Sequence, residues 1–225
     1  MCIIYAVNLP TGIEFHHLII ADNGSNDGTG AIGERLAAQH ENVRYLKVGK
    51  RGVGLALKAA WSASKADIVG YMDLDLATDL MHLPEALIAL TKKNADIVYA
   101  TRLHRNSKVI GRSLKRAVVS RCFNGMLHVY LGTRFSDGMC GFKFLWRRHL
   151  SELIQNGAVS DGWFFSTELL VIGEWLGLSL YELPVRWTDD PDSRARIRPL
   201  AIAYMKAARV LKNNEQTVKS RVRSR

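Results

Sequence analysis

"IVGYMDLDLATD", residues 68–79, decides how the rest of the chain is read. An apolar run ends in Asp73 and Asp75, one residue apart, with Asp79 close behind. Such a run, too short for a helix and rich in bulky side chains, reads as a buried strand. In an extended D-x-D the two carboxylates point to the same face, because side chains alternate along a strand. Two like charges held together call for a cation, and hard oxygen ligands suit Mg²⁺ or Mn²⁺ with substrate phosphates completing the shell. The plain alternative for the same residues is turn and cap chemistry at a strand end.

Outward from this stretch the pattern alternates. "HLIIAD" (17–22) and "VRYLKV" (43–48) read as strands, with turn residues "NGSNDGTG" and a helix over about 29–40 between them. "GKRGVGLALKAAWSASK" (49–65) opens with glycines and becomes a helix, "LPEALIALTKK" (83–93) is another, and "ADIVYATR" (95–102) is a fourth strand. Short apolar strands separated by helices predict βαβ units and a mostly parallel sheet flanked by helices, a Rossmann-like α/β class. Sheets of this kind bind ligands at the carboxyl ends of their strands, where Asp22, Asp73, Asp75 and Arg102 fall. Beyond residue 110 the expectation is a basic amphipathic helix over about 112–131, a strand in "MCGFKFLW" (139–146), and helices over 147–155 and 164–177. A strand in "LSLYELPVRW" (178–187) and a last helix over 199–214 complete it. We expect one domain over 1–211 and a basic, flexible tail over 212–225.

The charge is uneven. The 225-residue chain carries a formal net charge of +10, yet from Ile97 to Ser136 it has no Asp or Glu, while Arg102, Arg105, Lys108, Arg112, Lys115, Arg116, Arg121 and Arg134 fall there. Phosphates are the natural partners of such a block, whether of a nucleotide, a nucleic acid or an anionic membrane. The aromatics within it sit at packing positions and no nucleic-acid motif accompanies them, so no nucleic-acid partner is expected. Three cysteines at unrelated spacings argue against a disulfide framework and for a reducing compartment. No apolar run reaches the roughly 20 residues that cross a bilayer, and the start lacks the charged segment of a signal peptide. A peripheral protein on the cytoplasmic face of a membrane is expected.

Further motifs carry candidate site residues. In "ADNGSNDGT" (21–29), Asp22 is placed to accept hydrogen bonds from a nucleoside. "GKRGVG" (49–54) resembles a phosphate-cradling glycine loop ahead of a helix, putting Lys50 and Arg51 near a diphosphate. "RFSDGMCGFKFLWRR" (134–148) and "DGWFFSTELL" (161–170) set Asp137 and Glu168 among apolar residues and glycines, where carboxylates are more often functional than on an open surface. "ELPVRWTDDPDSRARI" (182–197) ends a strand and turns into Arg194 and Arg196, a loop able to close on phosphate.

Together, "IIADNGSNDGT", "GKRGVGLALKAAW", "YMDLDLATD", "ATRL", "RFSDGMCGFK", "WFFSTELL" and "ELPVRWTDDPDSR" resemble the family 2 glycosyltransferases of the dolichyl- or polyprenyl-phosphate sugar synthase kind. The resemblance spans roughly residues 17–198. It implies a GT-A fold and inverting transfer of a hexose from UDP-glucose or GDP-mannose to a polyprenyl phosphate. It further implies that Asp22 binds the nucleoside, that Asp73 and Asp75 hold Mg²⁺ or Mn²⁺ on the donor diphosphate, and that Arg102 and Arg116 contact phosphates. Asp137 would lie by the sugar and acceptor, Glu168 would shape the same pocket, and Ser193 with Arg194 would belong to the closing loop. The chain departs from the family pattern in four places, one of them Ala100-Thr101-Arg102 where the family has Gly-Ser-Arg. It has no Pro-x-Tyr-Asn-Glu motif and so lacks the usual first strand, Ala77 stands for a Gln, and Ser166 for an acid. Competing expectations are a catalytically impaired relative acting as a scaffold or partner subunit, and a basic nucleic-acid-binding protein.

Overall fold

The computed structural model describes residues 10–189 and 197–223. The chain begins as β1 (Leu18–Asp22), α1 (Thr29–Gln39), β2 (Val43–Lys47) and α2 (Val53–Ala63). It continues through β3 (Ile68–Met72), α3 (Leu83–Lys92), β4 (Ile97–Thr101), β5 (Lys108–Ile110) and α4 (Leu114–Leu131). It ends with β6 (Phe142–Trp146), α5 (Leu150–Gln155), α6 (Phe165–Trp175), β7 (Leu180–Pro184), β8 (Arg186–Thr188) and α7 (Ile197–Arg223). The expected alternation is present to within a few residues at each end, together with one strand the sequence did not suggest, β5.

The central sheet has the order β3-β6-β4-β7; β4 and β7 are parallel and β6 runs against both of its neighbours. β1 and β2 form a separate parallel pair, as do β5 and β8. Among the described residues no strand joins β1 to the central sheet. Because β6 alone is reversed, β3, β4 and β7 all deliver their carboxyl ends to the same edge, where ligands of α/β proteins collect.

The core explains the helix positions. α6 is buried nearly all round, its Phe165, Leu169, Leu170, Val171 and Ile172 in the core beside the sheet and α7 and its Thr167 and Glu168 satisfied by hydrogen bonds. Each such apolar side chain stabilises by about 1.5–3 kcal/mol on burial. Tyr204 of α7 packs on Phe123 of α4 and Phe164, at ring distances of 5.2 and 5.3 Å. The expected tail is a correction: helix continues to Arg223, Val218 is only 1% exposed, and Lys219 lies over the Trp175 ring. Tyr204, Ala208, Leu211 and Val218 make one buried stripe at helical spacing, so packing holds the segment that its basic composition suggested was loose.

Candidate active site

The acid turn differs from the extended D-x-D expected of it. β3 stops at Met72; Leu76 donates its N–H to the Asp73 carbonyl at 3.1 Å and adopts a left-handed φ of 53°. Asp73 and Asp75 therefore lie on a tight turn, and the Asp75 carboxylate accepts from Ala77 N at 3.0 Å. The Asp73 carboxylate accepts no hydrogen bond from any described residue. Burial first, and Asp75 second, raise its pKa to about 6, against the opposing pull of Lys143 and Arg102. Asp79 is spent elsewhere, capping the turn at Met81 with a 3.0 Å bond.

Asp73 is seated by the loop that carries Asp137. Its N–H donates to the Gly141 carbonyl at 3.0 Å, and its carboxylate lies so close to Gly141 that a Cβ there would fall 1.8 Å from Oδ2. Only glycine fits. The loop is pinned from three sides: Gly138 N donates to Asn124 Oδ1 at 2.8 Å, Thr167 Oγ1 donates to Gly138 O at 2.9 Å, and Lys143 Nζ donates to Gly138 O and Cys140 O at 3.1 and 2.7 Å. Lys143 projects from β6 into the protein and is wholly buried; burial lowers its pKa to about 8.

Asp137 is the most enclosed acid, at 0% exposure. Arg102 grips it with Nε and Nη2 at 2.8 and 2.9 Å and with its backbone N–H at 3.1 Å, and Met139 N adds a fourth bond at 3.1 Å. Burial alone would raise this carboxyl, yet the Arg102 guanidinium outweighs it and holds the pKa at about 2. Arg102 in turn lies 5.2 Å from the centre of the Trp187 ring, and Arg112 lies 5.4 Å from the same ring. Trp187 pairs across to Thr78, just past the acid turn, so β8 brings the arginines and the acids to one place. Arg116 pairs with buried Asp189 at 2.5 Å.

Asp22, at the end of β1, accepts from Gly24 N and Ser25 N at 3.1 and 2.8 Å and from the Tyr45 hydroxyl at 2.7 Å. The Ser25 backbone bond, then the Tyr45 bond, hold its pKa at about 2. Tyr45 sits flat on α1, where a Cβ at Gly33 would fall 2.4 Å from its ring. Arg51 packs its stem against Gly24, 3.6 Å from where a Cβ would stand, so the loop bearing Lys50 and Arg51 abuts the Asp22 turn. No hydrogen bond or ion pair joins this group to Asp73 among the described residues.

The first turn of α2, after the glycine loop, is partly committed within the protein. Gly54 N and Leu55 N donate to the carbonyls of Gly162 and Asp161 at 3.2 and 3.1 Å, so those donors hold protein rather than ligand. Glu168 clasps the same region: its carboxylate accepts from Ser160 N at 2.8 Å and from the Ser160 hydroxyl. Burial raises its pKa. Its bonds run to that loop and not to Asp73, Asp137 or Arg102. Ser193 and Arg194 lie outside the described residues. Sequence reasoning missed Tyr45, Lys143 and Trp187 and named Arg112 only as one cation of the basic block; Tyr45 meets Asp22, and Trp187 meets Arg102 and Arg112, across long stretches of chain. The one local signal was for Lys143, a cation in the middle of an apolar strand.

The residues present suit a divalent cation. Asp73 and Asp75 offer hard oxygens, and the raised Asp73 pKa marks a charge the protein itself leaves unbalanced. No cluster of three or more His, Cys, Asp or Glu ligands exists among the described residues. The protein would supply one or two carboxylates, a number typical of Mg²⁺ sites shared with phosphates.

Comparison with known proteins identifies the family and the fold. The model of glycosyl transferase family 2 matches residues 8–154. Glycosyltransferase AglD of Haloferax volcanii is 34% identical over 178 residues, covering 79% of this chain and 28% of that protein. Dolichyl-phosphate beta-glucosyltransferase ALG5C of Trichomonas vaginalis is 29% identical, covering 80% of this chain and 55% of that protein. The Drosophila melanogaster dolichyl-phosphate beta-glucosyltransferase is 27% identical, covering 80% and 57%. The chain thus spans between about a quarter and somewhat over half of the length of these relatives. Among solved structures, glucosyl-3-phosphoglycerate synthase of Mycobacterium tuberculosis, in complex with Mn²⁺, UDP and phosphoglyceric acid, superposes with a TM-score of 0.62 at 18% identity. That match covers 88% of this chain and 67% of the other. The fold is the α/β GT-A fold, and the chain belongs to glycosyl transferase family 2.

Proposed function

We propose that this chain transfers a glucosyl residue from UDP-glucose to the phosphate of a dolichyl or other polyprenyl phosphate, with Mg²⁺ or Mn²⁺ on the donor diphosphate. The observation that carries the reading is the Asp73 carboxylate, partly buried, without a hydrogen-bond donor among the described residues and beside Asp75, at the strand edge where three arginines gather. The names of the relatives favour glucose and a lipid phosphate. The solved complex with Mn²⁺ and UDP favours a uridine nucleotide and a cation.

The chemistry needs little from the protein beyond position and charge. An acceptor phosphate has a second pKa near 6 and is already a nucleophile at neutral pH. One of its oxygens bonds to the anomeric carbon while the bond from that carbon to the diphosphate breaks, the electron pair leaving with UDP and the configuration inverting. When bound, the cation neutralises charge growing on the departing diphosphate. Asp73 and Asp75 hold that end, and the arginines beside Trp187 set a positive field over both phosphates. Asp137 fixes the Arg102 guanidinium rather than taking a proton, since a carboxylate with four donors and a pKa of about 2 is a poor base. Asp22 serves the nucleoside end, with Lys50 and Arg51 beside it.

The lipid acceptor implies contact with a membrane surface. No helix among the described residues is long and apolar enough to cross a bilayer. α4, however, turns an apolar stripe outward: Leu114, Val118, Cys122, Gly125 and Val129 recur at helical spacing on the side away from its buried residues, with Leu114 85% and Val129 91% exposed. α7 lies beside it through Phe123 and Tyr204 and exposes Ile202, Met205 and Val210 among Lys206 and Arg209. Apolar residues interleaved with cations suit the interface of an anionic bilayer. Flotation with liposomes of rising anionic-lipid content tests this, and binding indifferent to lipid charge would exclude it. The transfer itself is tested by supplying UDP-glucose or GDP-mannose with Mn²⁺ and a short polyprenyl phosphate to the wild type and to Asp75→Ala. Cation-dependent transfer from UDP-glucose, lost in the variant, is the expected result.

A further inference from the structure

We infer that Arg112 anchors the phosphate group of the acceptor, forming with Trp187 a subsite for a phosphate monoester; the inference rests on the transfer proposed above. Three arginines gather at this edge, and two are balanced within the protein. Arg102 is matched by Asp137 at 2.8 Å and Arg116 by Asp189 at 2.5 Å. Arg112 is matched by no carboxylate among the described residues. Its Nη2 reaches only neutral oxygens, the Ser120 hydroxyl and, at 3.4 Å, the Arg116 carbonyl. Its Nε and Nη1 are buried and without a hydrogen-bond partner. A guanidinium cannot shed its proton to escape such a position, so its charge is retained and its N–H groups stay without acceptors. Burial, and then the charge of Arg102 beside it, disfavour this cation in the protein alone. A dianionic phosphate answers all three conditions, and the Trp187 ring 5.4 Å from the guanidinium holds it in place.

The position argues for the acceptor rather than the donor. The donor end of the site is the carboxylate pair of the acid turn. Arg112 lies two residues before Leu114, where the exposed apolar stripe of α4 begins. A phosphate carried on a lipid would leave the bilayer at this point, with its chain on the stripe and its head at Arg112.

The test is calorimetric titration of the wild type, Arg112→Met and Arg112→Lys with three probes: a short-chain isoprenyl monophosphate, the matching isoprenol, and UDP-glucose with Mn²⁺. The wild type is expected to prefer the monophosphate over the alcohol. Arg112→Met should bind the monophosphate about 10- to 100-fold more weakly, as for loss of charge-assisted hydrogen bonds, with the alcohol unchanged and UDP-glucose, which feels only the field of this cation, weakened by a much smaller factor. Arg112→Lys keeps the cation without the guanidinium geometry and should lose a smaller factor, which keeps the test open if the Met variant does not fold. Monophosphate affinity unchanged in the variants overturns the inference, as does a loss confined to UDP-glucose, which would give these nitrogens to the donor. A wild type indifferent to the phosphate would sink the proposed transfer itself, and this inference with it.

Discussion

Asp137 lies on the short loop before β6 and Asp73 on the turn that this loop seats, yet the protein treats their charges in opposite ways. Asp137 receives four hydrogen bonds and a guanidinium, and its pKa falls to about 2. Asp73 receives none from a described residue, sits against a second carboxylate, and its pKa rises to about 6. A buried charge with its partner built in is part of the structure; a buried charge without one is a request for a ligand. The same division separates Arg102 from Arg112. It sorts the candidate residues more sharply than their burial does.

The largest effect expected from this division is on stability, at Asp137. Asp137→Asn leaves the Arg102 guanidinium buried without its counter-ion, which costs about 3–5 kcal/mol for a broken buried pair. Urea denaturation of the variant should show this loss, and Mn²⁺ should not restore it. The pH dependence follows from the sign of the shift. A folded pKa of about 2 against an ordinary 3.8 means that the Asp137 contribution is present above about pH 4 and is lost as pH falls toward 2. A variant that keeps its stability and loses only turnover would break the comparison, because Asp137 would then be acting on substrate.

Asp73→Asn should behave in the reverse manner. Turnover is expected to fall by about 10²- to 10³-fold, the scale of losing one group that stabilises transition-state charge, while the cation-free protein is no less stable. The wild type carries a carboxylate whose folded pKa of about 6 exceeds the ordinary 3.8, so the folded state binds more protons across that range. Stability of the cation-free wild type therefore declines as pH rises from about 4 to about 6, and the Asp73 share of this slope vanishes in the variant. Mn²⁺ at 100 times its dissociation constant should add about 2.7 kcal/mol to the wild type at neutral pH and much less to the variant. Equal stabilisation of both by Mn²⁺ would place the cation elsewhere.

Much of this arrangement was legible in the sequence, and the illegible part has a common cause. The strands ending at Asp22, Met72 and Thr101 follow from local apolar runs and turn residues, so the edge on which the site lies could be read directly. The turn at Asp73–Asp75 could not, because the apolar run gives no sign of a left-handed Leu76, and the turn is seated by the distant Gly141 carbonyl and followed by the Thr78–Trp187 bridge. Whether a charge is balanced is also a non-local fact. Arg102 meets Asp137 across 35 positions and Arg116 meets Asp189 across 73, so the sequence showed eight cations in a block without showing which had been spent. The helix beyond residue 212 was missed for a simpler reason. Its buried stripe is carried by single residues such as Leu211 and Val218 amid lysines and arginines, and overall composition hides so sparse a pattern.

The smallest effect tests whether the two ends of the loop are independent. Thr167→Val removes the hydroxyl that donates to Gly138 O and keeps the shape of a side chain only 1% exposed. Gly138 O retains Lys143 as a donor at 3.1 Å, so no acceptor is left bare and the cost should be near that of one ordinary hydrogen bond, about 0.5–1.5 kcal/mol. Asp73 is seated three residues further on, by Gly141 and its carbonyl, and is shielded from this change. Denaturation should therefore register the substitution while Mn²⁺ affinity stays near that of the wild type. A large loss of Mn²⁺ affinity with little change in stability would mean that the loop transmits its rigidity to the acid turn. Asp137 and Asp73 would then be one device rather than two, with the buried ion pair serving to set the geometry of the open one.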